Sequence, residues 1–99
     1  MDRISRGAPH LALCCGPNDG LGKIDAIVAT AHLELAFPAL GIGSCWAGYI
    51  LAAFSTNPEM KKLISLDTNL EVHGALMFGY PVHGYHKIPA RKPVSISWL

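Results

Sequence analysis

Lys23–Leu40 reads KIDAIVATAHLELAFPAL, and the period of its apolar residues decides the fold. Ile24, Ile27, Val28, Ala31 and Leu35 recur at the three- and four-residue steps of a helix. Ala26, Ala29, Leu33 and Ala36 occupy the opposite face, so the helix is apolar nearly all round. Such a helix has neighbours on several sides, as at the centre of a domain or a dimer. Asp25 is expected in the first turn, where a carboxylate suits the helix dipole. Pro38 removes a backbone donor, so a kink or an end is expected close by.

Working outward, Ala8 to Cys15 (APHLALCC) reads as a short buried strand that ends at the turn cluster Gly16-Pro17-Asn18-Asp19-Gly20. On the other side, Gly41 to Gly48 is a run of small residues around one Trp, and Tyr49 to Phe54 is a brief helix. Asn57-Pro58-Glu59 is a good start for another, with Asn57 as cap and Pro58 at the first helical position. Leu70 to Tyr80 (LEVHGALMFGY) reads as a strand buried on both faces. From Pro81 to Leu99 the prolines at 81, 89 and 93 and the alternation Val94, Ile96, Trp98 give an extended arm. The arm is expected to finish as an edge strand or as a strand added to a partner's sheet. The order predicts one α+β domain over 1–99, with 81–99 as its arm.

Of 99 residues, 51% are hydrophobic and only 15% charged, against roughly 25% charged in ordinary soluble domains. A domain this small buries under about 70% of its unfolded surface. The excess apolar surface needs cover from a partner subunit, a further part of the same protein or a ligand. An obligate oligomer or a fragment follows. A net charge of +1 with no basic run beyond Lys61–Lys62 argues against nucleic acid. No stretch reaches the roughly 18 apolar residues of a membrane span, and Met1–Arg6 lacks the apolar core of a signal peptide. Three cysteines, two of them adjacent and none in C-x-x-C, fit a reducing cytoplasm better than a metal knuckle.

Gly41–Gly48 holds the first candidate chemistry. Glycine lets a ligand approach the backbone, and small residues before a helix start leave N–H groups aimed at an anion or an electron-rich ring edge. On spacing alone a tight connection between helices, packed against a core Trp, explains the same residues better. His83 and His86 form an H-x-x-H without a third ligand, so no metal is assigned. His10, His32 and His73 read as hydrogen-bonded structural histidines. Cys45 reads as a small buried hydrophobe, since no base is evident beside it. No side chain stands out as a catalytic acid or base. Lys87, Arg91 and Lys92 lie in KIPARKP, whose prolines hold the backbone extended and could fix these cations against a phosphate. On spacing alone an ordinary solvated basic tail fits better.

Taken in order, G-A-P-H-L, an alanine-rich helix leading to L-G-I-G-S-C-W-A-G-Y, then G-A-L-M-F-G-Y-P, Y-H-K-I-P-A-R-K-P and a final I-S-W resemble the C-terminal half of the nitroreductase family. The branch that often carries a ferredoxin-like iron–sulfur domain looks closest. The resemblance spans about Gly7 to Trp98. It implies an α+β flavoprotein that works as an intertwined homodimer with FMN at the interface, the Lys23–Leu40 helix at its centre and the arm reaching across. By the same resemblance, Trp46-Ala47-Gly48, with Gly43 and Ser44, lies along the isoalloxazine. Backbone N–H groups near Ala47 and Gly48 meet N5 or O4, and Arg91, Lys92 or Lys87 reaches the phosphate. The family's Arg-rich R-R-S-x-R stretch and the ferredoxin cysteines are absent, and Met1–Arg6 is a poor echo of the former.

Two functions remain open at this level, ahead of a third, a metal-binding interaction module built on His83, His86 and the cysteines, which lacks a defined ligand set. One is an FMN-dependent oxidoreductase taking hydride from NADH or NADPH and reducing nitroaromatics, quinones or similar small-molecule acceptors. The flavin carries that chemistry, while the protein aligns the reactants. The other is a truncated, non-catalytic remnant that dimerises through its helix and binds flavin weakly or not at all.

Overall fold

Asp19 starts the longest element of the computed structural model, which describes Met1–Leu99. Its side chain accepts from the Gly22 N–H at 2.6 Å and caps helix α1, Gly20–Ala36. This cap sets the start three residues ahead of the expected Lys23, so Asp25 lies beyond the first turn, which carries no acid. Pro38 ends the regular helix as expected. Phe37–Leu40 tightens into a 3-10 turn closed by Gly41, whose φ of 73° is the left-handed conformation that glycine adopts without a Cβ clash.

Strand β1, His10–Pro17, and the central strand β3, Leu70–Gly79, pair antiparallel from His10↔Phe78 to Pro17↔Leu70. A register shift between Cys14 and Cys15 skips His73, whose Nε2 lies 2.9 Å from the Pro17 carbonyl oxygen. On the other edge of β3 lies β2, Gly43–Trp46, also antiparallel, which completes the sheet order β1-β3-β2. The run of small residues around Trp46 is therefore a strand and not a bare connection between helices. Two helices follow β2: α2, Gly48–Thr56, and the short α3, Glu59–Leu63. Asn57 Oδ1 accepts from the Glu59 N–H at 3.1 Å, the capping role expected of it. Lys61 holds α3 to β3 through Glu71 at 3.0 Å.

The core sits where α1 crosses β1 and β3. Gly22, Ala26 and Thr30, four residues apart, form the buried stripe of the helix. Thr30 is completely buried, and its hydroxyl donates to the Ala26 carbonyl at 2.7 Å. It faces Gly74, where a Cβ would collide with the hydroxyl and stand 3.0 Å from Thr30 Cβ. Leu76, fully buried, and Phe78, stacked on Phe37 at 4.8 Å between ring centres, continue that face of β3. The consecutive buried residues Gly74, Ala75 and Leu76 give β3 the two-sided burial expected of it.

Three expectations are not met within a single chain. Strand β1 is not buried: it lies at an edge of the sheet, one face uncovered, and only Gly16 of its residues is buried. The outer face of α1 is open, with Leu21, Ile24, Val28 and Leu35 all exposed. Tyr80–Leu99 is exposed throughout, forms no strand and makes no hydrogen bond to the rest of the chain. The radius of gyration is accordingly 16.1 Å, against about 13 Å for a compact domain of 100 residues.

Candidate functional site

The end of β2 and the start of α2 meet at Ala47, and the geometry there leaves backbone donors free. Ala47 is buried, and its N–H donates to the Ala75 carbonyl at 2.8 Å, which fastens the junction to β3. The first internal bond of α2 runs from the Leu51 N–H to the Ala47 carbonyl at 3.0 Å. The N–H groups of Gly48, Tyr49 and Ile50 therefore have no acceptor in the chain, and no side chain caps the helix. These are the orphan donors of a helix start, carrying its partial positive charge. Space above Gly48 is open, with nothing from elsewhere in the chain within 4 Å of where a Cβ would stand.

Trp46 is held in place from α1. Its indole Nε1 donates to Glu34 Oε2 at 2.6 Å, so the central helix fixes the ring beside the free donors. It is thus a partly exposed ring with a polar tether, rather than a core Trp. Cys45 is exposed, not buried: β2 is an edge strand only four residues long, and it leaves the thiol uncovered.

A cleft of about 900 Å³ opens along these residues. Gly43, Ser44, Trp46, Ala47 and Gly48, all singled out from the sequence, line it together with Tyr49, Met77, Gly79 and Tyr80. Its other wall is the N-terminal segment, including Arg3, Ile4 and Arg6. That segment is folded by Asp2, whose carboxylate accepts from the N–H groups of Ile4, Ser5 and Gly7 and from the Ser5 hydroxyl. These bonds, the Ser5 hydroxyl foremost, hold the Asp2 carboxyl well below the usual carboxylate range. The two arginines carried by the turn were missed as site residues. The turn brings them to the cleft, and only Asp2-x-x-Ser5, an Asx-type turn signal, hinted at it.

Lys87, Arg91 and Lys92 stand apart. All three are exposed on the arm and none lines the cleft. His10, stacked on Phe78 at 5.3 Å, His32, 2.8 Å from the Val28 carbonyl oxygen, and His73 occupy structural positions.

No protein-family model and no curated protein matches the chain. Solved structures do. A nitroreductase from Bacteroides fragilis, solved with FMN bound, is similar over 100% of this chain and 55% of its own, at 23% identity and a TM-score of 0.80. A nitroreductase family protein from Clostridium difficile is similar over 86% of this chain and 50% of its own, at 32% identity and a TM-score of 0.59. The chain thus has the α+β nitroreductase-like fold, as its motifs implied. It spans about half the length of each of these two proteins.

Proposed function

We propose that this chain forms part of an FMN-dependent NAD(P)H oxidoreductase of the nitroreductase type, reducing nitroaromatics, quinones or similar acceptors. The observation that carries this reading is the coincidence of three features at one place. Orphan N–H groups at Gly48, Tyr49 and Ile50, an aromatic ring held by Glu34, and a cleft of about 900 Å³ all meet at the β2–α2 junction. That set suits the polar edge of a flat heteroaromatic ring: the donors meet ring nitrogen and oxygen, and Trp46 and Tyr49 flank the plane. The FMN bound by the Bacteroides fragilis protein gives the fold a precedent for such a ligand.

Bound flavin would supply the two-electron chemistry. The residues of this chain position it. Gly48 permits close approach of the backbone, and Ala47, pinned to Ala75, fixes where the free donors begin. The donors from Gly48 onward favour negative charge on the ring edge they face. For the phosphate, Arg91, Lys92 and Lys87 would have to come from the arm of a second copy, so the complete site belongs to a homodimer. The open apolar face of α1 and the unpaired arm favour that assembly.

A second reading rests on the length comparison. A chain about half as long as its structural neighbours would serve as a non-catalytic dimerising remnant if the rest of the flavin site is needed. Titrating FMN into the purified chain and following flavin fluorescence separates the two. Quenching at micromolar FMN with one flavin per chain supports the first. No quenching at about 100 μM, equivalent to about 5.5 kcal/mol, rejects flavin binding by this chain alone.

A further inference from the structure

The cleft has a charged wall that the flavin reading leaves unused. Arg3 and Arg6 both line it, no Asp or Glu does, and neither arginine makes an ion pair or a side-chain hydrogen bond within the chain. The one acid beside them, Asp2, lines an adjoining hollow together with Arg3, Arg6 and Tyr49. Its carboxylate is turned onto the Ile4, Ser5 and Gly7 N–H groups and the Ser5 hydroxyl instead of onto a guanidinium. Both arginines thereby keep their planar donor forks free, the geometry that pairs with a carboxylate oxygen for oxygen. Trp46, Tyr49 and Tyr80 line the same cleft as the two arginines and supply its aromatic surface.

We infer that this wall is a subsite for the acceptor and that it selects a planar aromatic ring bearing a carboxylate. The ring lies against Trp46 and Tyr80, and the carboxylate meets Arg3 and Arg6. That the occupant is the acceptor of a reductase rests on the reading above; the subsite itself does not, because its residues bind the anion with or without flavin. The same donors could take the phosphate of FMN, and the experiment separates these two sources.

The probes are 4-nitrobenzoate and nitrobenzene, which differ in the one carboxylate. Binding to the full chain without flavin is followed by the indole N–H resonance of Trp46, identified with Trp98→Phe. We expect 4-nitrobenzoate to move that resonance saturably and to bind roughly tenfold or more tightly than nitrobenzene, the order expected of charge-assisted hydrogen bonds at an exposed site. Raising the salt should erode the difference. The double variant Arg3→Gln/Arg6→Gln should abolish it and leave nitrobenzene unaffected. Equal affinity for the two probes, or no shift from either, overturns the subsite, and both are read on the unaltered chain should the variant not fold. FMN and riboflavin are titrated in parallel. If the variant weakens FMN but not riboflavin, the arginines serve the flavin phosphate and the assignment to the acceptor fails. Failure of both flavins to bind the unaltered chain counts against the flavin reading and leaves the anion subsite standing on the probe data.

Discussion

Glu34 shows how one residue on the central helix sets the geometry of the site. Its carboxylate holds the Trp46 indole at 2.6 Å, and hydrogen bonds to a charged group contribute roughly 1.5–3 kcal/mol at most, less where water competes. Glu34→Ala should therefore cost about 1 kcal/mol or less in urea denaturation while shifting the Trp46 indole resonance and weakening FMN binding. Glu34→Gln, which keeps an acceptor oxygen, should restore most of both. An unchanged Trp46 resonance in Glu34→Ala would show that the tether is absent in solution. At the N-terminal turn the sign of the pH effect follows from Asp2. Its folded pKa is depressed by the N–H groups and hydroxyl that it accepts from. The order it contributes is therefore complete above the ordinary carboxylate pKa of about 3.9 and is lost only as the pH falls through the lower folded value. The Ile4, Ser5 and Gly7 amide resonances should accordingly titrate with a midpoint below that of an ordinary aspartate. A midpoint near 4 would mean that the turn does not form.

Among the elements, the contact of α1 with β3 has the least room. Gly74 leaves space for Thr30 and for nothing more. Gly74→Ala should cost about 1–3 kcal/mol, the usual range for forcing an extra carbon into a packed core. Adding Thr30→Ala should recover only part of that loss, because Thr30 Cβ itself stands 3.0 Å from the new methyl group. Full recovery, or no loss in the single variant, would show that helix and strand are further apart than described. Close packing of α1 on β1 likewise explains why Gly22 is tolerated near the start of the helix. At Gly22 a Cβ would lie 2.6 Å from the Pro17 carbonyl oxygen, so the gain in close contact outweighs a helix propensity penalty of about 1 kcal/mol. The legible signal at this scale was apolar periodicity. It located α1, β1, α2 and β3 within a few residues, because a long apolar period has one regular structure that satisfies it. β2 was not legible: four residues with two small ones carry no period, and they become a strand only because β3 offers them an open edge.

For the whole molecule, only 11 of 99 residues are buried, and the arm, apart from Pro81 and Val82 at the cleft, is exposed and makes no hydrogen bond to the rest of the chain. A surface this apolar favours association, which is the basis of the proposed homodimer. Light scattering should give a mass of at least twice 10.6 kDa; a monodisperse monomer would contradict the homodimer. Paired charged substitutions at Ile24 and Val28, both exposed in the single chain, should shift the equilibrium toward monomer with little loss of helix by circular dichroism. If the dimer persists, it is formed through another face.

What the sequence determined by itself was the order of the longer elements, β2 excepted, the long apolar helix and the residues Gly43, Ser44, Trp46, Ala47 and Gly48 of the cleft. Period, turn chemistry and ordered motifs are local properties that a one-dimensional string records. Tertiary structure alone decided which backbone donors stay free, since Ala47 gives its N–H to Ala75 across the sheet and Gly48 does not. It alone brought Arg3 and Arg6 to the cleft and left Lys87, Arg91 and Lys92 away from it. The physical reason is that a free donor or an unpaired cation is defined by what has not bonded to it. That is settled by chain segments tens of residues apart meeting in space, and no local pattern carries it.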